Sequence, residues 1–272
     1  MINKYKVAFF DVGNTLTIGT VWGKIHSSFD TVEHGLEHHQ LFKAKKLTYK
    51  QWVEKDATFW VGKTRAEVIS ALQPIKLVDG ASDALQFLQS QGVLIVLVSG
   101  GLLCNCIEVA KALDIDPFAI FSNELTYEDE KVTGAIGKCC TIHETDECKD
   151  VDAHEIELAS SSPSPDLISS PPKKKLSFEE LKKSFSIDRM LKGLGGISKG
   201  QFVHRFCSEL GLSKEDVISV GDGENDIPLF KESKLSFAVN AKNPRVIEAA
   251  KFHGGYPELI SILKSEFKKA VK

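Results

Sequence analysis

The chain has 272 residues, 42% apolar and 26% charged, the make-up of an ordinary globular protein. Its 37 acidic and 34 basic residues leave a formal charge of −3, which gives no electrostatic reason to expect a nucleic-acid or anionic-membrane partner. The longest apolar run, Val93 to Val98, is too short to cross a bilayer, and Met1 to Lys6 opens no secretion signal. A cytoplasmic location with six reduced cysteines is therefore expected.

In chain order, the first element is Val7-Ala8-Phe9-Phe10, a short apolar run ending in Asp11 that suits a strand buried on both faces. The stretch from about 17 to 75 then carries helical patterning and no clear strand, with Trp22, Trp52 and Trp60 in it. Inserted straight after the first strand, it predicts a small helical cap, in which Leu47-Thr48-Tyr49 opens a helix running past Trp52. His26, His34, His38 and His39 fall in this stretch and read as a solvated helix face.

A helix is predicted over Ser82 to Gln91, and a second strand over Val93 to Val98, followed by Ser99-Gly100-Gly101. Another helix, Leu102 to Leu113, places Cys106 on its apolar face, and Glu124-Leu125 to Val132-Thr133-Gly134 reads as a strand-turn pair. Residues 139–196 are predicted to be a largely disordered insertion, because Ser160-Ser161-Ser162-Pro163 and Ser169-Ser170-Pro171-Pro172 cannot build a core. Phe178 to Leu191 is a possible short helix within it. Cys139, Cys140, His143, Cys148 and His154 crowd together there without the spacing of zinc knuckles, so a solvated loop is the reading.

Lys199 opens a helix continuing over Gln201 to Leu210. Two more buried strands follow, Val217 to Val220 ending in Gly221-Asp222-Gly223-Glu224-Asn225-Asp226, and Leu235 to Val239 ending in Asn240. Strands alternating with helices predict an α/β fold with a Rossmann-like parallel sheet, core residues 1–16 and 76–272. In such a sheet the carboxyl ends of the strands share one edge, where ligands bind.

The residues at those ends suit phosphoryl transfer. A carboxylate can attack phosphorus and hold it as an aspartyl-phosphate, which splits hydrolysis into two steps. The attacking carboxylate and the phosphate repel each other, so a hard divalent cation such as Mg²⁺ belongs between them. Asp11 and Asp222 supply carboxylates, Ser99 and nearby backbone N–H groups can bond phosphate oxygens, and Lys199 can neutralise remaining charge.

In this order the motifs resemble the haloacid dehalogenase superfamily, and within it the phosphoserine-phosphatase-like branch with a helical cap. The resemblance rests on Phe10-Asp11, Thr15-Leu16, Ser99-Gly100-Gly101, Lys199-Gly200 and Gly221-Asp222-Gly223-Glu224-Asn225-Asp226. It implies Asp11 as nucleophile, with Lys199 as its catalytic companion. It also implies Mg²⁺ held by Asp11, the carbonyl of Gly13, Asp222 and Asp226. Thr15, Ser99, Gly100, Lys199 and Asn225 would then serve the phosphate of a small phosphorylated metabolite.

The pattern breaks at one position. Phosphatases of this superfamily carry an aspartate two residues after the nucleophile, as general acid and base, and here that residue is Gly13. Losing such an acid costs about 10²–10⁴-fold in rate, most of all for poor leaving groups. Three readings stay open: a slow or specialised phosphatase, a non-catalytic phosphate-binding or regulatory protein, and an enzyme acting on a different bond. Glu224 is a possible substitute acid. Phosphoserine itself is a poor expectation, since Thr17 to Trp22 holds no acid and Trp52 to Trp60 no arginine to read the serine head group.

Overall fold

The computed structural model describes residues 4–138, 140–141, 177–192 and 196–269. Its centre is a six-stranded parallel sheet in the order β10-β9-β8-β1-β2-β3. β1 is Val7–Phe10, β2 Leu94–Leu102, β3 Ala119–Asn123, β8 Val217–Gly221, β9 Leu235–Val239 and β10 Phe252–Gly254. β1 lies between β2 and β8, with Phe10 level with Leu97 and Val220. That register brings the residues following all three strands to one edge.

Alternation along β1 explains why all four of its residues are apolar. Ala8 and Phe10 face a layer formed with α5 (Ala81–Ser90), α6 (Leu103–Ala112) and α12 (Tyr256–Lys269). Val7 and Phe9 face the other layer, dominated by α9 (Lys199–Glu209). There Phe9 meets Phe206 edge-on, 5.2 Å between centroids at 83°, a contact adding about 0.5–1.5 kcal/mol beyond area burial.

Between β1 and α5 lie four helices, referred to below as the cap: α1 (Val21–Ser28), α2 (Val32–Lys43), α3 (Tyr49–Thr58) and α4 (Arg65–Ala71). Thr48 and Gln51 start α3 with a reciprocal capping box, and Thr64 and Glu67 do the same for α4. The hairpin β4 (Leu125–Glu128) and β5 (Lys131–Ile136) is antiparallel, and Leu125, Val132 and Ile136 share one apolar cluster with Val53, Ala57 and Trp60 of the cap. Backbone bonds join the two: Gly62 N–H to Val132 O, Arg65 N–H to Glu130 O and Val132 N–H to Lys63 O, each 2.9 Å.

Several expectations need correction. β2 does not stop at Val98; it continues through Ser99-Gly100-Gly101 with a register shift against β3, so the serine motif is part of an irregular strand end. The histidines are not all on a solvated face: His34 is exposed, but His38 and His39 are half-buried. His26 is buried, its ring 5.2 Å from Trp60, and Nδ1 of His38 lies 2.7 Å from the buried Asp56, with which His26 also pairs at 3.3 Å. A carboxylate buried beside α1 and α2 draws both imidazoles inward, because an unpaired charge there would be costly. Residues 142–176, including His143, Cys148 and His154 of the cysteine–histidine group, lie outside the described residues, as does Cys139. Within 139–196, however, α7 (Phe178–Ser184) and α8 (Ile187–Met190) are folded, and Phe178, Phe185, Met190 and Leu191 pack onto the α9 layer. β6 (Cys140–Thr141) pairs in parallel with β7 (Ile197–Ser198).

Candidate active site

Three segments place charged side chains at the β1 edge: the residue after β1, the start of α9 and the turn after β8. Asp11 follows β1 directly and is 6% exposed. Lys199 sits at the first position of α9, where Ser198 and Gln201 form a capping box that sets the entry of the chain. Gly200 lets that helix approach closely: a Cβ there would stand 2.8 Å from Cβ of Pro228. The Lys199 ammonium is thereby brought to 2.6 Å from Asp11 Oδ1 and 2.6 Å from Asp226 Oδ1, with the side chain 1% exposed.

The turn after β8 is built around Asp226. Its Oδ2 accepts the N–H groups of Asp222 and Gly223, both at 3.0 Å. Gly221 has to be a glycine for this, since a Cβ would fall 2.4 Å from the Asp226 carboxyl. The Thr15 hydroxyl, expected on the phosphate, is instead buried between carboxylates, 3.2 Å from Asp11 Oδ2 and 2.9 Å from Asp222 Oδ1.

Asp11, Asp222 and Asp226 each present an oxygen, all within 4.8 Å of one another. Burial, and then the charges of Asp11 and Asp226, push the Asp222 carboxyl up to about 7. Burial, with Asp11 adding to it, pushes Asp226 up to about 6 despite the Lys199 ammonium. Three carboxylates against one ammonium is an excess of negative charge, and hard oxygen donors at this spacing fit a divalent cation of the Mg²⁺ kind.

Ser99, Gly100 and Asn225 line a cavity of about 240 Å³ together with Asp11, Gly13 and Asp222. The Ser99 hydroxyl accepts the Gly101 N–H at 3.0 Å. The carbonyl of Gly100 accepts three donors: Trp22 Nε1 at 3.0 Å, the Tyr49 hydroxyl at 2.8 Å and Asn123 Nδ2 at 2.9 Å. Asn123 also donates to the Tyr49 oxygen at 2.8 Å. Sequence reasoning missed Tyr49 and Asn123. Trp22 is half-buried and lines the cavity, whereas Trp60 is wholly buried beneath it. Gly13 has no positive φ, and a Cβ there would meet nothing nearer than 3.8 Å, so the position has room for a side chain. Glu224 does not take its place: its carboxylate accepts from Asn243 at 2.9 Å and Arg245 at 3.1 Å.

Two family models, both described as haloacid dehalogenase-like hydrolase, match residues 5–139 and 181–261 and so take in both halves of the sheet and every charged residue of the site. The chain belongs to the haloacid dehalogenase superfamily, in its phosphoserine-phosphatase-like branch. It is 23% identical to a phosphoserine phosphatase of Methanocaldococcus jannaschii over 89% of each chain, and 24% identical to one of Campylobacter jejuni over 87% of this chain and 88% of that one. Among solved structures, a phosphoserine phosphatase captured as a phospho-aspartyl intermediate analogue superposes with a TM-score of 0.62 at 21% identity, covering 95% of this chain and 99% of that one. As a haloacid dehalogenase-like protein with phosphatase relatives, the chain is placed among the phosphatases of the superfamily.

Proposed function

We propose that the protein is a Mg²⁺-dependent phosphatase acting through an aspartyl-phosphate on Asp11. The observation that carries the reading is the juxtaposition of one buried lysine with three carboxylates, two of which, Asp11 and Asp222, line a small cavity. Asp11, Asp222 and the Gly13 carbonyl are the proposed metal ligands. Asp226, both of whose oxygens are engaged, anchors Lys199 and the 222–223 turn and would add negative charge to the metal site. Mg²⁺ bound there would offset the repulsion between carboxylate and phosphate and polarise the phosphoryl oxygens.

The chain's own groups do the rest. Lys199 holds Asp11 Oδ1, which orients the carboxylate and steadies charge that builds on the phosphoryl group. Ser99, the backbone at Gly100 and Asn225 border the space for the transferring phosphate. An Asp11 oxygen forms the new P–O bond while the ester P–O bond breaks. Water then cleaves the acyl phosphate, giving inorganic phosphate and the restored carboxylate.

The test is turnover of a phosphate panel with and without Mg²⁺. Asp11→Asn should abolish it, by more than about 10⁴-fold. Absent turnover, with Mg²⁺ or phosphate still raising Tm, would replace this reading by a phosphate-binding protein, the alternative that Gly13 favours.

A further inference from the structure

The phosphoryl-transfer reading leaves open what the phosphate is attached to, and the inference here rests on that reading. Facing the carboxylates across the cavity are Val21, Trp22, Tyr49 and Trp52 of the cap. Among the described residues lining this space there is no lysine, arginine or histidine to meet a second anion, and no acid besides Asp11 and Asp222 to meet an ammonium. The polar atoms of two wall rings are turned away, because Trp22 Nε1 and the Tyr49 hydroxyl are bonded to the Gly100 carbonyl. The rings are also held from behind. Trp22 stacks on Trp60 at 5.8 Å and 25°, and Trp52 on Phe42 at 4.9 Å and 22°. Trp52 also stacks on His39 at 5.1 Å and 23°. A wall of fixed, uncharged rings suits a flat, uncharged group and costs little ordering when one binds.

The same lining bears on the leaving oxygen. When the ester bond breaks, its electron pair stays on that oxygen, and an alkoxide departs slowly unless it receives a proton. Position 13 offers no side chain, and Glu224 is held by Asn243 and Arg245. A phenolate needs no proton to leave.

We infer that the site takes small aryl phosphates, monoesters of phenol-type alcohols whose ring carries no charge. An Asp11 oxygen bonds to phosphorus as the phenolate departs with its electron pair and takes a proton from water. A second water then hydrolyses the acyl phosphate, releasing inorganic phosphate and a proton. An adjoining pocket of about 450 Å³ shares Thr20, Val21 and Asn105 with this cavity, and Lys24 and Lys76 border it. The Lys24 ammonium is bonded to the Leu72 and Pro74 carbonyls, so Lys76 is the side chain that a charged ring would have to reach.

The experiment compares matched esters on the full chain with Mg²⁺. Phenyl and benzyl phosphate share a ring and differ in the leaving oxygen. Acetyl phosphate has a good leaving group and no ring, 4-carboxyphenyl phosphate adds a charge, and a phosphotyrosine peptide tests a macromolecular source. Phenyl phosphate should exceed benzyl phosphate in kcat/KM by about 10²–10⁴-fold, and should show the lowest KM of the set. Trp52→Ala should raise KM for phenyl phosphate more than for acetyl phosphate. Benzyl phosphate or phosphoserine turning over as fast as phenyl phosphate overturns the assignment. So does preference for the carboxylated ring, for acetyl phosphate or for the peptide. Beryllofluoride with Mg²⁺ provides the independent check, since it reports on Asp11 without any ester. Stabilisation of the wild type but not of Asp11→Asn confines a failure to the aryl assignment, whereas no stabilisation defeats the phosphoryl-transfer reading along with it.

Discussion

The two walls of the cavity over Asp11 are made by opposite means. The sheet side gathers Asp11, Lys199, Asp222 and Asp226 from three segments, and each segment is locked by backbone geometry: a strand end, a capping box, two N–H groups on one carboxylate. The cap side presents Trp22, Tyr49 and Trp52, with no charge, held by stacking and by bonds to a single carbonyl. Charged groups that must meet a reacting atom need tight placement, and rigid secondary structure provides it; a wall that selects by shape and polarity needs only packing. On the proposed reading, the difference assigns bond-breaking to the sheet side and selectivity to the cap side.

The sharpest way to test this division is Gly13→Asp, which adds a carboxyl on the sheet side where the backbone has room for it. Hydrolysis of alkyl esters such as benzyl phosphate should rise by about 10²-fold or more, with phenyl phosphate changing far less. An equal gain for both esters would mean that the substitution acts on something other than leaving-group protonation. Lys199→Met should lower kcat/KM by about 10²–10³-fold. The three carboxylates would then be buried with no ammonium among them, so Tm should fall as well, and further at pH 8 than at pH 5.

On the cap side the effects should be smaller. Tyr49→Phe removes one of three donors on the Gly100 carbonyl, and should weaken inhibition by inorganic phosphate about 2- to 10-fold, the worth of one hydrogen bond. Unchanged phosphate affinity would show that the cap does not help to hold the serine loop. Thermal scans at several pH values give the mildest test. With Asp222 near 7 and Asp226 near 6 in the fold, against about 4 in an unfolded chain, the folded protein binds more protons between about pH 4 and 7. Stability in EDTA should therefore decline as pH rises through that window. Mg²⁺ should reverse the decline at pH 7.5, by several degrees in Tm.

Much of the sheet side was legible in the chain itself. β1, β2, β8 and β9 are buried on both faces, so they read as continuous apolar runs, and Asp11, Ser99 and Asp222 stand where those runs close. β3 and β10 escaped notice because they are the two edge strands: Ala119–Asn123 ends in Ser122 and Asn123, and Phe252–Gly254 is three residues long with His253 exposed. The cap wall could not be read in advance. Tyr49 opens a well-capped helix and has the pattern of a core residue; what marks it is a bond to Gly100, 51 positions away. Asn123 likewise is marked by partners on β2 and α3. His26 misled for the same reason, because its burial depends on Asp56 in another helix.

The seam between the cap and the β4–β5 hairpin has a consequence for traffic through the cavity. Residues 62–65 are knitted to the β4–β5 hairpin by three backbone bonds, two to Val132 and one to Glu130, and the hairpin follows β3 after Glu124 alone. Helices α1–α4 are thus no door on a loose pair of linkers. Swinging them outward would either unzip that seam or drag the hairpin along and torque the sheet's outermost strand, whose last residue, Asn123, grips the serine loop. Admission of one molecule and discharge of another would then be felt at Ser99, and the pace of a full cycle would be set by the stiffness of that edge.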